Sequence, residues 1–123
     1  MTSRLRGLRV LVVEDVSVIA ESLGGLLRDY GCKVVGPAPD LERGVELALG
    51  EPLDGAILDV DLHGNLCFPI AATLSRRGIP YFFVTGYGDE VFPAEYRGMP
   101  RLGKPFEEVE LAGMLLHEVL HVA

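Results

Sequence analysis

Three carboxylates, a hydroxyl and an ammonium stand out in this chain because each closes or directly follows a short apolar run. Glu14 and Asp15 follow residues 10–13, Asp59 closes residues 55–59, Thr85 follows residues 81–84, and Lys104 comes just after residues 101–102. If those runs are strands of one open parallel sheet, all five side chains meet at the edge where such sheets bind ligands. Two carboxylates about 4 Å apart repel by about 4 kcal/mol at an effective dielectric of about 20. Lys104 offsets only one charge, so a divalent cation is the natural remainder. All-oxygen ligands favour a hard ion, Mg²⁺ or Mn²⁺, over zinc. A cation beside a nucleophilic carboxylate, with a hydroxyl and a lysine opposite, also suits a phosphoryl group, whose charge spreads over its equatorial oxygens during transfer.

The elements that must position these groups alternate between strand and helix. Ile19, Leu23, Leu26, Leu27 and Tyr30 recur at helical spacing, so a helix with one buried face follows the first strand, and Gly31 ends it. Gly24 and Gly25 fall inside that helix, each unfavourable by about 1 kcal/mol relative to Ala. Residues 33–35 form a short strand nearer a sheet edge. Asp40 caps a helix carrying Leu41, Val45, Ala48 and Leu49, closed by Gly50. The apolar run at 55–59 predicts a strand buried on both faces. A helix over 69–77 and a strand over 81–84 follow. Gly88, Pro93, Gly98 and Pro100 leave room for no more than a short, irregular helix between 86 and 100. A brief strand at 101–102 and a long helix over 107–122 complete the pattern. Such alternation implies right-handed crossovers with helices on both faces. The expectation is one α/β domain over residues 1–123, a doubly wound five-stranded parallel sheet.

Composition removes several classes of function. The 123 residues carry 18 Asp plus Glu against 11 Lys plus Arg, a formal charge of −7, which argues against a nucleic-acid surface. No apolar run approaches the ~20 residues of a membrane helix. The basic start over residues 1–9 leads into an apolar stretch that soon meets Glu14 and Asp15, too short for a secretion signal. Cys32 and Cys67 read as two reduced thiols, so a cytoplasmic location is expected.

In order and spacing, Glu14-Asp15, Gly55-Ala56-Ile57-Leu58-Asp59, Thr85 and Lys104-Pro105-Phe106 resemble the receiver domains of bacterial response regulators over essentially the whole chain. The resemblance implies the flavodoxin-like (βα)5 receiver fold of CheY-like proteins. It implies that Asp59 accepts a phosphoryl group from a phosphohistidine of a sensor histidine kinase or a histidine phosphotransferase. Glu14, Asp15 and Asp59 would hold Mg²⁺ with the backbone carbonyl of Asp61, while Thr85 and Lys104 would contact phosphoryl oxygens. The Lys104-Pro105 bond would be cis. No reaction on a separate substrate is implied beyond the protein's own phosphoryl transfer and autodephosphorylation. Pro80-Tyr81-Phe82-Phe83-Val84-Thr85-Gly86-Tyr87 further resembles the FATGUY subgroup, departing at Tyr81 and Val84. Many receivers carry a switch aromatic three residues before the lysine. Here that position is Arg101, which points to Tyr87 as the mobile ring. The chain is expected to act as a stand-alone receiver that controls a downstream protein or relays phosphate by switching its 85–101 segment.

Other readings compete. Asp59-Val60-Asp61 spells the DxD of small phosphatases, although those place it after their first strand. His117-Glu118-Val119-Leu120-His121 matches HExxH, yet a solvated flank with two histidines is the plainer reading. On the final helix Leu111, Met114, Leu115, Val119 and Val122 form the expected buried stripe. Leu116 and Leu120 widen it and, with Arg101, mark a surface for a partner or a second copy of the chain. His63 reads as a loop residue. A docking module of the same fold that works without phosphorylation is the alternative of a different class.

Overall fold

The computed structural model describes residues 5–119. Its elements run β1 (Arg9–Val13), α1 (Ser17–Asp29), β2 (Lys33–Ala38), α2 (Leu41–Gly50), β3 (Gly55–Asp59), β4 (Asp61–Leu62), β5 (Asn65–Leu66), α3 (Phe68–Arg76), β6 (Tyr81–Thr85), β7 (Arg101–Gly103) and α4 (Glu108–Met114). Five of the strands pair in parallel, in the order β2-β1-β3-β6-β7. This is the doubly wound α/β sheet expected from the alternation of elements.

Side-chain alternation along the central strands splits the core into two layers. Leu11, Val13, Ala56, Leu58 and Phe83 face one way, toward residues of α2 and α3. Val10, Val12, Ile57, Phe82 and Val84 face the other, toward residues of α1 and α4. Successive strand residues point to opposite faces, so a strand covered on both sides must be apolar throughout. All five residues of β3 and of β6 are buried accordingly.

The helices follow their sequence signals with some differences. Asp40 caps α2 by accepting from Arg43 N at 2.8 Å. Gly44 of α2 lies against Ile70 of α3, so close that a Cβ would meet the Ile70 side chain. That contact turns Leu47 and Ala48 inward and leaves Leu49, expected on the buried face, 61% exposed. Gly24 is buried in α1 with only the end of the Arg28 side chain near it, and Gly25 faces open space; nothing in the packing explains the pair. β2 runs on past residue 35 through a cis Gly36-Pro37 bond to Ala38.

The final helix departs from a single regular rod over 107–122. Glu107 and Glu110 form a reciprocal capping box, α4 ends at Met114, and a wider π turn spans Leu115–Val119. Gly55 at the start of β3 seats that turn, because a Cβ there would stand 2.7 Å from Val119 Cγ1. Leu120, His121 and Val122 lie outside the described residues. Between β6 and β7 the chain makes two 3₁₀ turns, Asp89–Val91 and Ala94–Tyr96, as the Gly and Pro breakers there require. Among the described residues, no helix is long and apolar enough to cross a membrane.

Candidate functional site

The carboxyl ends of β1, β3, β6 and β7 meet at one edge of the sheet. Asp59 closes β3 and is 6% exposed; Thr85 closes β6 and is 3% exposed. Glu14, directly after β1, is buried and bonded by its neighbours. Its Oε1 takes Lys104 Nζ at 2.9 Å and its Oε2 takes Val16 N at 3.2 Å. Lys104 Nζ also lies 3.4 Å from Asp59 Oδ1. The amide of Lys104 donates to Thr85 O at 3.0 Å, and the Lys104-Pro105 bond that follows is cis.

Oxygens of Glu14, Asp15 and Asp59 all lie within 4.8 Å of one another. Packing three acids so tightly has a visible cost. Burial pushes the Asp59 carboxyl up to about 8, helped by the charge of Glu14 and by hydrogen bonds with Asp15 and Glu14, against the opposing pull of Lys104. For Asp15, burial works upward, but hydrogen bonds from Asp59 and from the His63 amide leave it below its ordinary value. Burial works downward on Lys104, yet Glu14 and Asp59 hold its ammonium above the usual range. Three acids gathered this closely make a place that a cation would suit. The donor set is all oxygen and in excess negative charge, which fits a hard divalent ion.

The loop after β3 supplies the rim. β4 and β5 form a miniature hairpin whose two-residue loop, His63-Gly64, has positive φ at both positions, 54° and 88°. Positive φ at both central residues is what a type I′ turn demands. The turn swings His63 onto the acid pair. Its amide donates to Asp15 Oδ2 at 3.0 Å, with the ring Nδ1 3.3 Å from the same oxygen. His63, expected as a plain loop residue, is thus part of the rim, and its sequence signal is His-Gly set between Asp-Leu and Asn-Leu. Asp61 accepts Gly64 N on Oδ1 at 2.7 Å and the Tyr87 hydroxyl on Oδ2 at 3.1 Å. With both carboxylate oxygens engaged, Asp61 is poorly placed to serve as the free acid of a DxD phosphatase. Tyr87 N donates to Thr85 Oγ1 at 2.9 Å, and its ring is 49% exposed.

Of the residues expected at a partner surface, Arg101 and Leu116 make contacts within the chain, and Leu120 lies outside the described residues. The Arg101 side chain is 23% exposed and its guanidinium is engaged within the chain. Leu116 packs against the α1 and α4 side of the core. His117 Nδ1 meets its neighbour Glu118 Oε2 at 2.8 Å, while His121 lies outside the described residues.

No protein-family model matches the chain. The transcriptional regulatory protein PdtaR of Mycobacterium tuberculosis is 35% identical over 107 residues, covering 84% of this chain and 52% of that protein. The chain therefore spans about half the length of the curated relatives it matches. The solution structure of SdrG from Sphingomonas melonis Fr1 has a TM-score of 0.80 and 32% identity, covering 94% of this chain and 98% of that one. The receiver domain of the sensor histidine kinase PA1611 from Pseudomonas aeruginosa PAO1 was crystallised with a magnesium ion coordinated in its active-site cleft. It has a TM-score of 0.79 at 25% identity and covers 92% of this chain and 98% of that domain.

Proposed function

The chain belongs to the receiver-domain family of response regulators, and from that membership we propose that it accepts a phosphoryl group on Asp59 and responds by shifting the segment after Thr85. The observation that carries this reading is the buried Asp59 carboxylate 3.4 Å from Lys104 Nζ, in a cluster with Glu14 and Asp15. A lysine, a hydroxyl and three acids together suit an anionic transferred group held beside a cation.

Asp15, Asp59, Glu14 and the backbone carbonyl of Asp61 would hold Mg²⁺. When bound, the ion supplies the positive charge that keeps Asp59 ionised and neutralises phosphoryl oxygens. The remaining work falls to the chain. An Asp59 oxygen attacks phosphorus as the P–N bond to a donor imidazole breaks, and the bonding pair leaves with the imidazole nitrogen. Lys104 pairs with one phosphoryl oxygen and Thr85 donates to another, each charge-assisted contact contributing about 1.5–3 kcal/mol. Glu14 holds Lys104 in place. Moving the 85–101 segment from a 1:99 to a 99:1 balance requires about 5.5 kcal/mol, within the sum of such contacts. Tyr87 is the ring that moves, as the FATGUY-like strand implies. The donor would be a sensor histidine kinase or a histidine phosphotransferase, and the setting cytoplasmic.

Mass spectrometry after incubation with acetyl phosphate and Mg²⁺ tests the assignment. Wild type should gain about 80 Da, one phosphoryl group, and Asp59→Asn should gain nothing. An equal adduct in both proteins would remove Asp59 from the role.

A further inference from the structure

The segment between β6 and β7 is pinned at its far end by one side chain. Arg101 begins β7, where its backbone is paired opposite Phe83 of β6. Its guanidinium makes three contacts, and all three go to the segment. The Cζ atom lies 3.8 Å from the Phe92 ring centroid, Nη1 is 2.9 Å from Asp89 Oδ1, and Nη2 donates to Arg97 O at 2.8 Å. Arg97 Nε in turn donates to Phe92 O at 3.1 Å. Phe92 is 1% exposed and sits edge-on to Phe68 and Phe83, within 5.5 Å centroid to centroid. The other end of the same segment starts at Thr85 and is tied by Tyr87 to Asp61.

Only an arginine can make these contacts together. A flat guanidinium stacks on an aromatic face while its edge donates in two directions; an ammonium does one or the other. Arg101 is anchored to the sheet through its main chain, whereas Asp89, Phe92 and Arg97 belong to the connecting loop. When Thr85 is drawn toward a phosphoryl oxygen, the loop cannot follow unless these contacts loosen together.

We propose that Arg101 is a positioning residue that holds the 86–100 segment in the arrangement seen here, which is the arrangement phosphorylation of Asp59 must leave. The proposal rests on the receiver reading above and adds to it the residue that sets how hard the switch is to throw. A contact present in only one of two states shifts the balance by its own strength, so its loss must tighten binding of whatever favours the other state. A purely architectural arginine predicts unchanged or weaker binding.

The probe is beryllium fluoride with Mg²⁺, a tetrahedral mimic of a phosphoryl group on a carboxylate, titrated by calorimetry into wild type, Arg101→Met, Arg101→Lys and Asp89→Asn. Arg101→Met should bind about tenfold more tightly than wild type, with Arg101→Lys between the two. Asp89→Asn should bind about two- to threefold more tightly, as suits an exposed ion pair. Asp89 is 72% exposed on its side chain, so that variant keeps the fold and decides the matter even if Arg101→Met fails to fold. Affinity equal to or below wild type in Asp89→Asn and in the folded Arg101 variants overturns the clamp and leaves the receiver reading intact. A wild type that binds no beryllium fluoride overturns both.

Discussion

Asp59→Asn should stabilise the protein in the absence of divalent cations, and by an amount that grows with pH. The native carboxyl is pushed up to about 8 from an ordinary 3.8, mainly by burial and then by the charge of Glu14. An unfolded chain releases this proton near 3.8, so between the two values the native state binds more protons than the unfolded one. Stability must then fall as pH rises. The penalty is absent below pH 3.8, grows through the window to 8, and is constant above it. Its slope is at most about 1.4 kcal/mol per pH unit, one proton's worth, which sums to about 4 kcal/mol by pH 7. Relaxation around the site and entry of water reduce this, leaving about 2–4 kcal/mol for Asn to relieve at pH 7 and about 1 kcal/mol at pH 5. Urea unfolding of both proteins in EDTA at pH 5, 6, 7 and 8 reads the difference directly. A gain that stays flat across that range, or falls below about 0.5 kcal/mol at pH 8, would refute burial and the Glu14 charge as the source of strain. Excess Mg²⁺ should narrow the gap by stabilising wild type, by about 2.7 kcal/mol at a hundred times its Kd.

Gly55→Ala should cost about 1–3 kcal/mol in urea, because the new Cβ would stand 2.7 Å from Val119 Cγ1, and adding Val119→Ala should recover most of it. Asp40→Ala removes the side-chain acceptor for Arg43 N and should cost about 1 kcal/mol by the same assay. In fluorotyrosine-labelled protein assigned with Tyr87→Phe, the Tyr87 fluorine signal should shift on phosphorylation as its hydroxyl leaves Asp61. An unmoved signal at full phosphorylation takes that ring out of the switch.

The sheet was legible because its central strands carry long-range information in local form. A strand buried on both faces must be apolar along its length, and 55–59 shows this openly. The places of Asp59, Thr85 and Lys104 followed from knowing which end of each strand they occupy. Two-residue strands have no periodicity, so the β4–β5 hairpin was invisible, and with it the contact of His63 with Asp15. The contacts Arg101 makes within the chain were hidden for a related reason. Its partners Asp89, Phe92 and Arg97 are set by the course of a loop, which Gly and Pro positions bound without specifying. Leu49 followed the stripe expected of its helix, but a glycine at position 44 moved the real contact.

Thr85 Oγ1 already accepts the Tyr87 amide at 2.9 Å. An alcohol oxygen engaged in this way still carries its own hydrogen, so Thr85 can give a hydrogen bond to the cleft. Main chain two residues downstream fixes where that oxygen sits before any ligand arrives. Serine would inherit that orientation. Valine, nearly identical in outline, would orphan the amide and leave the mouth of the cleft without its donor.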